Sequence, residues 1–417
     1  MTSYKKTCSP DYKRAFYSRN GCSRLSALII VVILGFTNCK TPYSPGVISS
    51  PGQYLVVEGI INSGSDSTII KLSYTAKLSS NVTLNPVAHA VVAVQSDQNA
   101  TFPLTETTNG NYVSPGLNLN SANKYRLSIK TANNEQYYSD YVPVLNSPPL
   151  DSVYYEVGNN GIVINTASHD PTNTVQYYRW DYQETWIIHS NYDSHYISTG
   201  DTVIARDFNT QQIYMCWASD TSSNIILNST ARLRSAVLTN NPITSVGSTS
   251  EKLGDKYSII VRQYALTGDA YSFWTNLKKN TEQLGSIFDA QPSQISGNIH
   301  STSNPAEPVI GYISAGSTSE QRIFILNTQL PAWLPTPTYP NCQLDTELYA
   351  YVPPGSKGPP TNQVKEEFYY TSGNQGILIP VDPITTPQGA VLGFSGAIQE
   401  CVDCTLRGTN KQPAFWK

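Results

Sequence analysis

The sequence predicts a mainly β protein with at least one packed helix, and three observations carry that expectation. Aromatic residues that suit pleated, half-buried surfaces are abundant, with 28 Tyr and 6 Trp among 417 residues, and the turn formers Pro and Gly occur 27 and 26 times. Several short stretches alternate apolar and polar residues with period two, the spacing that turns one face of a strand to a core. Helical periodicity stands out once, over residues 267–285 (TGDAYSFWTNLKKNTEQLG).

Taken in chain order, the first feature is not part of the fold. Residues 25–36, LSALIIVVILGF, form the long apolar run, behind a segment carrying Lys5, Lys6, Lys13, Arg14, Arg19 and Arg24. A spanning helix needs roughly twenty apolar residues to cross about 30 Å of hydrocarbon, so this run is too short. A basic segment followed by a short apolar run is the layout of a secretory signal peptide, expected over residues 1–38. The exit, LGFTNCK, resembles a bacterial lipoprotein signal, in which a cysteine just past the apolar run is acylated and becomes the first residue after cleavage. Phe36 and Asn38 stand where the usual pattern has Leu and a small residue, a departure that the relaxed boxes of Bacteroidota lipoproteins tolerate. Cys39 is therefore the expected lipidation site. Residues 39–52, rich in Pro, Gly and Ser, read as a tether.

Charge is sparse: Asp, Glu, Lys and Arg make up 14% of the chain, against about 25% in an average globular protein. With a formal net charge of −3 there is no basic surface to attract nucleic acid by counterion release. Beyond Cys39 the cysteines are Cys216, Cys342, Cys401 and Cys404, which in an oxidising compartment allow two disulfides in three connectivities. CVDC at 401–404 lacks the second ligand pair of a zinc site and the βαβ context of a thioredoxin-like motif. Structural disulfides are expected.

Residues 53–146 read as one small β-sandwich. KYRLSIKT (124–131) puts Tyr125, Leu127 and Ile129 on one face and Lys124, Arg126, Ser128 and Lys130 on the other; TIIKLSY (68–74) and AVVAVQ (90–95) behave alike, and TNG (108–110) and TANNE (131–135) supply turns. The order resembles the transthyretin-like or immunoglobulin-like modules of bacterial surface proteins, usually spacers or binding platforms. Pro148 and Pro149 cannot join a ladder and mark a boundary.

Residues 147–417 form a larger β-rich region with a helix near 269–284. In VQYYRWDYQETWII, Tyr178, Trp180, Tyr182 and Trp186 share one face at period two, interrupted by Glu184. Rigid aromatic faces in that pattern suit a ligand-binding platform for a sugar or peptide. An ordinary core strand, the commoner arrangement, has the same pattern. In the helix, Thr267 or Asp269 caps, and Ala270, Phe273, Trp274, Leu277 and Leu284 form one stripe expected to pack on a sheet, with Gly285 as the stop.

YLVVEG, YYRWDYQETW, YSIIVRQYAL, GSIFDAQPSQISGNI, NPAEPVIGY, the closing CVDC and KQPAFW together resemble the Bacteroidota lipoproteins grouped as the family domain of unknown function 4249. Members are commonly encoded beside TonB-dependent outer-membrane receptors. The resemblance implies an outer-membrane, lipid-anchored accessory protein whose partner is a receptor-type barrel. Which side of the membrane it faces is left open, since Lys40, Thr41 and Pro42 replace the acidic residues that many surface-displayed relatives carry.

The chain lacks HExxH, GxSxG and the phosphate-binding glycine patterns. His169 and Asp170 are neighbours in a strand and point to opposite faces, so they form no dyad as written. His189, Asp193 and His195 are too weak a set for a metal. Asp289 (IFDAQPS) and Glu307 (NPAEPV) are candidate functional residues because they sit in loop-rich stretches. The expected function is non-enzymatic capture or guidance of a ligand beside a TonB-dependent receptor, with no cofactor. The alternatives are a structural or assembly factor of the envelope, and a cryptic hydrolase whose site is assembled from distant residues.

Overall fold

Strand-forming residues dominate the computed structural model, which describes residues 53–76, 85–282, 297–336, 339, 341–369 and 378–417. Cys39, the tether and Asp289 lie outside the described residues. The protein is mainly β with packed helix, and Gln53–Lys417 forms one compact unit.

The N-terminal sheet is ten-stranded and curled. Its curl comes from Thr101–Thr108, which pairs with Val91–Ser96 through Thr101–Leu104 and then with Asn111–Ser114 through Thr105–Thr108. One strand thus belongs to both layers. Between the layers lie Leu55, Val57, Ile70 and Leu72 from one side and Val92, Val94, Leu127 and Ile129 from the other. Lys124–Lys130 buries Tyr125, Leu127 and Ile129 and turns its charged ends out, as its alternation requires. Gly110 takes φ +79° in the TNG turn, and a Cβ there would sit 2.6 Å from the Leu72 carbonyl oxygen. The chain returns to this sheet much later: Ile299–Ser301 pairs with Gln136–Ser139, and Ala315–Gly316 runs parallel to Ile61–Asn62. Gly311, at φ +142°, lets that returning segment lie against Val57, whose carbonyl would be 2.2 Å from a Cβ.

A second pair of sheets follows Pro149. Leu150–Gly158, Gly161–His169 and Val237–Gly247 form three strands. Facing them is a five-stranded sheet of Met215–Thr221, Tyr177–His189, Lys256–Leu266 and Thr318–Leu326, with Ile226–Ser229 also on Tyr177–Trp180. Their shared core holds Ile162, Ile164, Leu238 and Val246 against Tyr178, Trp180, Ile188, Ile259 and Val261. Burying aliphatic and aromatic side chains of this size contributes about 1.5–3 kcal/mol each.

The helix Gly268–Glu282 packs on the outer face of the five-stranded sheet. Thr267 caps it, its hydroxyl accepting from Ala270 N at 3.2 Å. Ala270 and Phe273 are buried, Tyr271 meets Tyr177 at 4.9 Å between ring centres, and Trp274 and Leu277 remain half-buried.

A small three-stranded sheet, Asp345–Leu348, Val391–Ile398 and Leu378–Thr385, completes the chain with the short helix Gln363–Phe368. Cys216–Cys404 ties the end of this region to the five-stranded sheet, and Cys342–Cys401 closes the region on itself. The KQPAFW segment seats on the five-stranded sheet, with the Arg322 guanidinium 3.6 Å from the Phe415 ring centre and Trp416 edge-on to Phe324 and Trp217.

Candidate functional site

Tyr178, Trp180, Tyr182 and Trp186 do share one face, and that face is the core. Tyr178 and Trp180 are 1% exposed and Trp186 9%. Tyr182 is half-buried against the same cluster, its hydroxyl donating to Thr244 Oγ1 at 3.1 Å. The three-stranded sheet covers them, so they offer no platform to a ligand. Glu184, the interruption in the pattern, is 3% exposed and accepts from Lys252 Nζ at 2.5 Å and Tyr257 Oη at 2.6 Å. Burial, then the Glu184 charge, pushes the Tyr257 phenol up.

The residues between those aromatics face the other way. Arg179 and Asp181 line a cleft of about 680 Å³, within the range of small-molecule sites. Its floor is set by strand register. Arg179 lies opposite Tyr264, which lies opposite Thr318; Asp181 lies opposite Arg262, which lies opposite Glu320. The second row alternates in charge: Arg262 Nη1 is 3.5 Å from Asp181 Oδ1, and Arg262 Nε donates to Glu320 Oε2 at 3.2 Å. Arg179 Nη2 is 3.8 Å from Asp181 Oδ2. These are partly solvated pairs, worth about 0–1 kcal/mol each, so their importance is the array of donors and acceptors they hold in place.

The walls are aromatic and aliphatic. The Arg179 guanidinium carbon is 4.3 Å from the Tyr264 ring centre and 4.5 Å from that of Trp274, which fixes the indole through cation–π contact. Burial, followed by the Asp181 charge, pushes the Tyr264 phenol up. Phe273 and Leu277 of the helix, Tyr312, and Val56, Glu58 and Ile60 from Leu55–Asn62 close the sides. The described lining has no histidine or cysteine; its hydroxyls come from Ser67, Tyr264, Tyr312 and Thr318, and the Tyr264 phenol is hydrogen-bonded to the Asp181 carboxylate. This arrangement can bind a polar ligand.

Elsewhere, each of the five histidines lies beside a carboxylate. His169 Nδ1 is 2.7 Å from Asp151, His195 Nδ1 2.7 Å from Asp382, His300 3.3 Å from Asp140, His89 3.5 Å from Glu106, and His189 4.0 Å from Asp255. No serine hydroxyl completes any of them among the described residues. Ser194, beside His195 in sequence, donates to Tyr196 O and Pro380 O, both at 2.8 Å. The hydrogen bond with Asp382 pushes the His195 imidazole up. Among the described residues no three His, Cys, Asp or Glu side chains are grouped to hold a metal ion.

His169 and Asp170 diverge as strand geometry demands: His169 is exposed, while Asp170 is 7% exposed and caged by Thr172, Thr174 and Val175. Glu307 does not line the cleft; it accepts from the buried Tyr137 hydroxyl at 2.9 Å, a contact that ties the returning segment to the N-terminal sheet. Sequence reading thus missed Arg179, Asp181, Arg262, Tyr264, Trp274 and Glu320. The available signal was the alternation itself, since Arg179 and Asp181 sit at the positions that the aromatic pattern leaves for the opposite face.

No curated protein matches the chain. The model of the family described as "Domain of unknown function (DUF4249)" matches residues 40–322, which includes every residue named above as lining the cleft. With more than half of its length matched, the chain belongs to this family, domain of unknown function (DUF4249).

Proposed function

We propose that this chain is a non-enzymatic, lipid-anchored outer-membrane protein that captures a small ligand in the cleft between Leu55–Asn62, the five-stranded sheet and the helix Gly268–Glu282, and hands it to a TonB-dependent receptor-type barrel. The single observation that carries the capture step is the cleft itself: about 680 Å³, with a paired-charge floor and an aromatic wall. The anchor rests on residues 5–39, where a basic segment and a short apolar run end at Cys39. The barrel partner rests on the family resemblance. Among the described residues no helix is long and apolar enough to cross a membrane.

Tethering gives a mechanism to a weak site. A ligand held beside a pore rebinds at the effective concentration set by the tether, so modest affinity suffices for transfer. The test is purification from membranes in mild detergent. Recovery of a receptor-type barrel with the wild-type chain supports the reading; recovery of none counts against the partner. Recovery of an envelope-assembly protein instead, with unimpaired nutrient uptake in a deletion strain, favours an assembly factor.

A further inference from the structure

We infer that the ligand of the cleft is a neutral, polyhydroxylated molecule, a short oligosaccharide, bound over the Asp181–Arg262–Glu320 row and against Trp274. This deepens the capture reading and rests on it. Three features select the class.

The floor carries charges that are already compensated, and the unpaired acid of the described lining is the exposed Asp66. Arg262 is held between two carboxylates, Arg179 lies between two aromatic rings and near Asp181, and Glu58 pairs with Lys71 at 3.3 Å. An anionic ligand would have to displace a partner at one of these pairs and lose what it gained, and a cationic one gains only the solvated Asp66, worth about 0–1 kcal/mol. A hydroxyl group donates and accepts at once. Vicinal hydroxyls can therefore accept from the guanidinium and donate to the adjoining carboxylate while the row stays intact.

The backbone beneath offers no strand-pairing edge. Tyr177–His189 and Lys256–Leu266 are interior strands, and the start of Thr318–Leu326 is covered, with Ser147 N donating to Ser317 O and Leu150 N to Ser319 Oγ. An extended peptide that binds by adding a strand needs a free edge. Recognition here is by side chains alone.

The wall supplies the apolar half of a sugar's requirement. Trp274 is half-buried and pinned by Arg179, and the half-buried Tyr312 lies across Phe273 at 5.5 Å between ring centres. A rigid aromatic face next to an array of paired donors and acceptors matches a pyranose, whose C–H face is apolar and whose rim is hydroxylated.

The test is calorimetric titration of the full chain in a non-glycosidic detergent with malto-, cello- and xylo-oligosaccharides, oligolysine and oligogalacturonate. The expected result is binding of a neutral oligosaccharide that is insensitive to molar salt, since no net charge is being screened. Trp274→Ala is expected to weaken it about tenfold or more, and Glu320→Ala, at a half-exposed position, to weaken it with the melting temperature unchanged. Heat from oligolysine or oligogalacturonate alone, abolished by Trp274→Ala, overturns the assignment of a neutral oligosaccharide and leaves the capture reading standing. Folded Trp274→Ala and Glu320→Ala chains that bind every probe as wild type does overturn both.

Discussion

Trp180 Nε1 donates to Gln263 Oε1 at 3.1 Å, and both side chains are essentially without solvent exposure. The Gln263 amide then donates to Ser147 Oγ at 3.2 Å, Pro148 O at 3.0 Å and Ser168 Oγ at 3.0 Å. One buried side chain thereby joins the five-stranded sheet, the three-stranded sheet and the segment that leads out of the N-terminal sheet. The indole is fastened in the interior, which is why the aromatic run cannot serve as a docking face.

Gln263→Leu is expected to destabilise the protein by about 1–3 kcal/mol, because it leaves the Trp180 N–H without its partner in a dry core. The Pro148 carbonyl keeps the Ser147 hydroxyl at 3.1 Å. Chemical denaturation should show the loss in the midpoint with little change in slope. A wild-type midpoint would mean that water reaches this network.

Lys252→Met should cost more than Glu184→Gln. The first leaves the Glu184 carboxylate buried with Tyr257 as its remaining neutral donor; the second removes the charge and leaves Lys252, whose side chain is 23% exposed, able to reach water. Breaking a buried pair by removing the cation costs about 3–5 kcal/mol, less here because Lys252 is partly solvated. Lys252 also lies 4.7 Å from the Trp186 ring centre, so the fluorescence of that tryptophan should change in Lys252→Met. Equal melting temperatures for the two variants would contradict the pairing.

Asp170 gives a pH signature. Burial pushes its carboxyl up, but donors outweigh it: Thr172 Oγ1 at 2.6 Å, Val175 N at 2.8 Å, Thr172 N at 2.9 Å and Thr174 N at 2.8 Å hold it down at about 2. Because the folded value lies below the ordinary 3.8, the carboxylate contributes stability that is fully present above about pH 4 and is lost as pH falls through 2. At about 1.4 kcal/mol for each tenfold change in acidity, the contribution at neutral pH amounts to about 2 kcal/mol. Urea denaturation of wild type between pH 5 and pH 2 should show that decline, and Asp170→Asn should flatten it while starting from a lower value. Parallel curves would show that other carboxylates govern acid unfolding.

The fold was legible where one physical signal acted alone. Lys124–Lys130 has a solvated face and a buried face, so its alternation gives both the strand and its orientation. The helix from Gly268 carries a cap and a stripe of its own. The site was harder to read because both faces of Tyr177–His189 are covered, one by a sheet and the other by the cleft and helix. In a strand of that kind the aromatic face goes to the larger core, and the polar positions between, Arg179 and Asp181, are left to line the cleft. The partners of those residues come from Arg262, Trp274 and Glu320, up to about 140 positions away, and cross-strand register is what brings them together. Glu307 drew notice as a loop acid; its partner, the Tyr137 hydroxyl, belongs to a strand 170 residues earlier.

Cys39→Ala should release the chain from membranes. In the wild-type chain the thiol that follows the apolar run is expected to carry acyl groups, and each buried methylene contributes about 0.8 kcal/mol to membrane binding. One chain binds marginally, whereas several together hold for the life of the protein. Metabolic labelling with a palmitate analogue should therefore mark the wild type and not Cys39→Ala, and the variant should appear in the soluble fraction or remain as the uncleaved precursor. Labelling that survives the substitution would place the acyl groups elsewhere. A variant that stays membrane-bound, unlabelled and cleaved would mean that protein contacts rather than lipid hold the chain at the membrane, and capture would then depend on a stable complex with the barrel instead of on a tether.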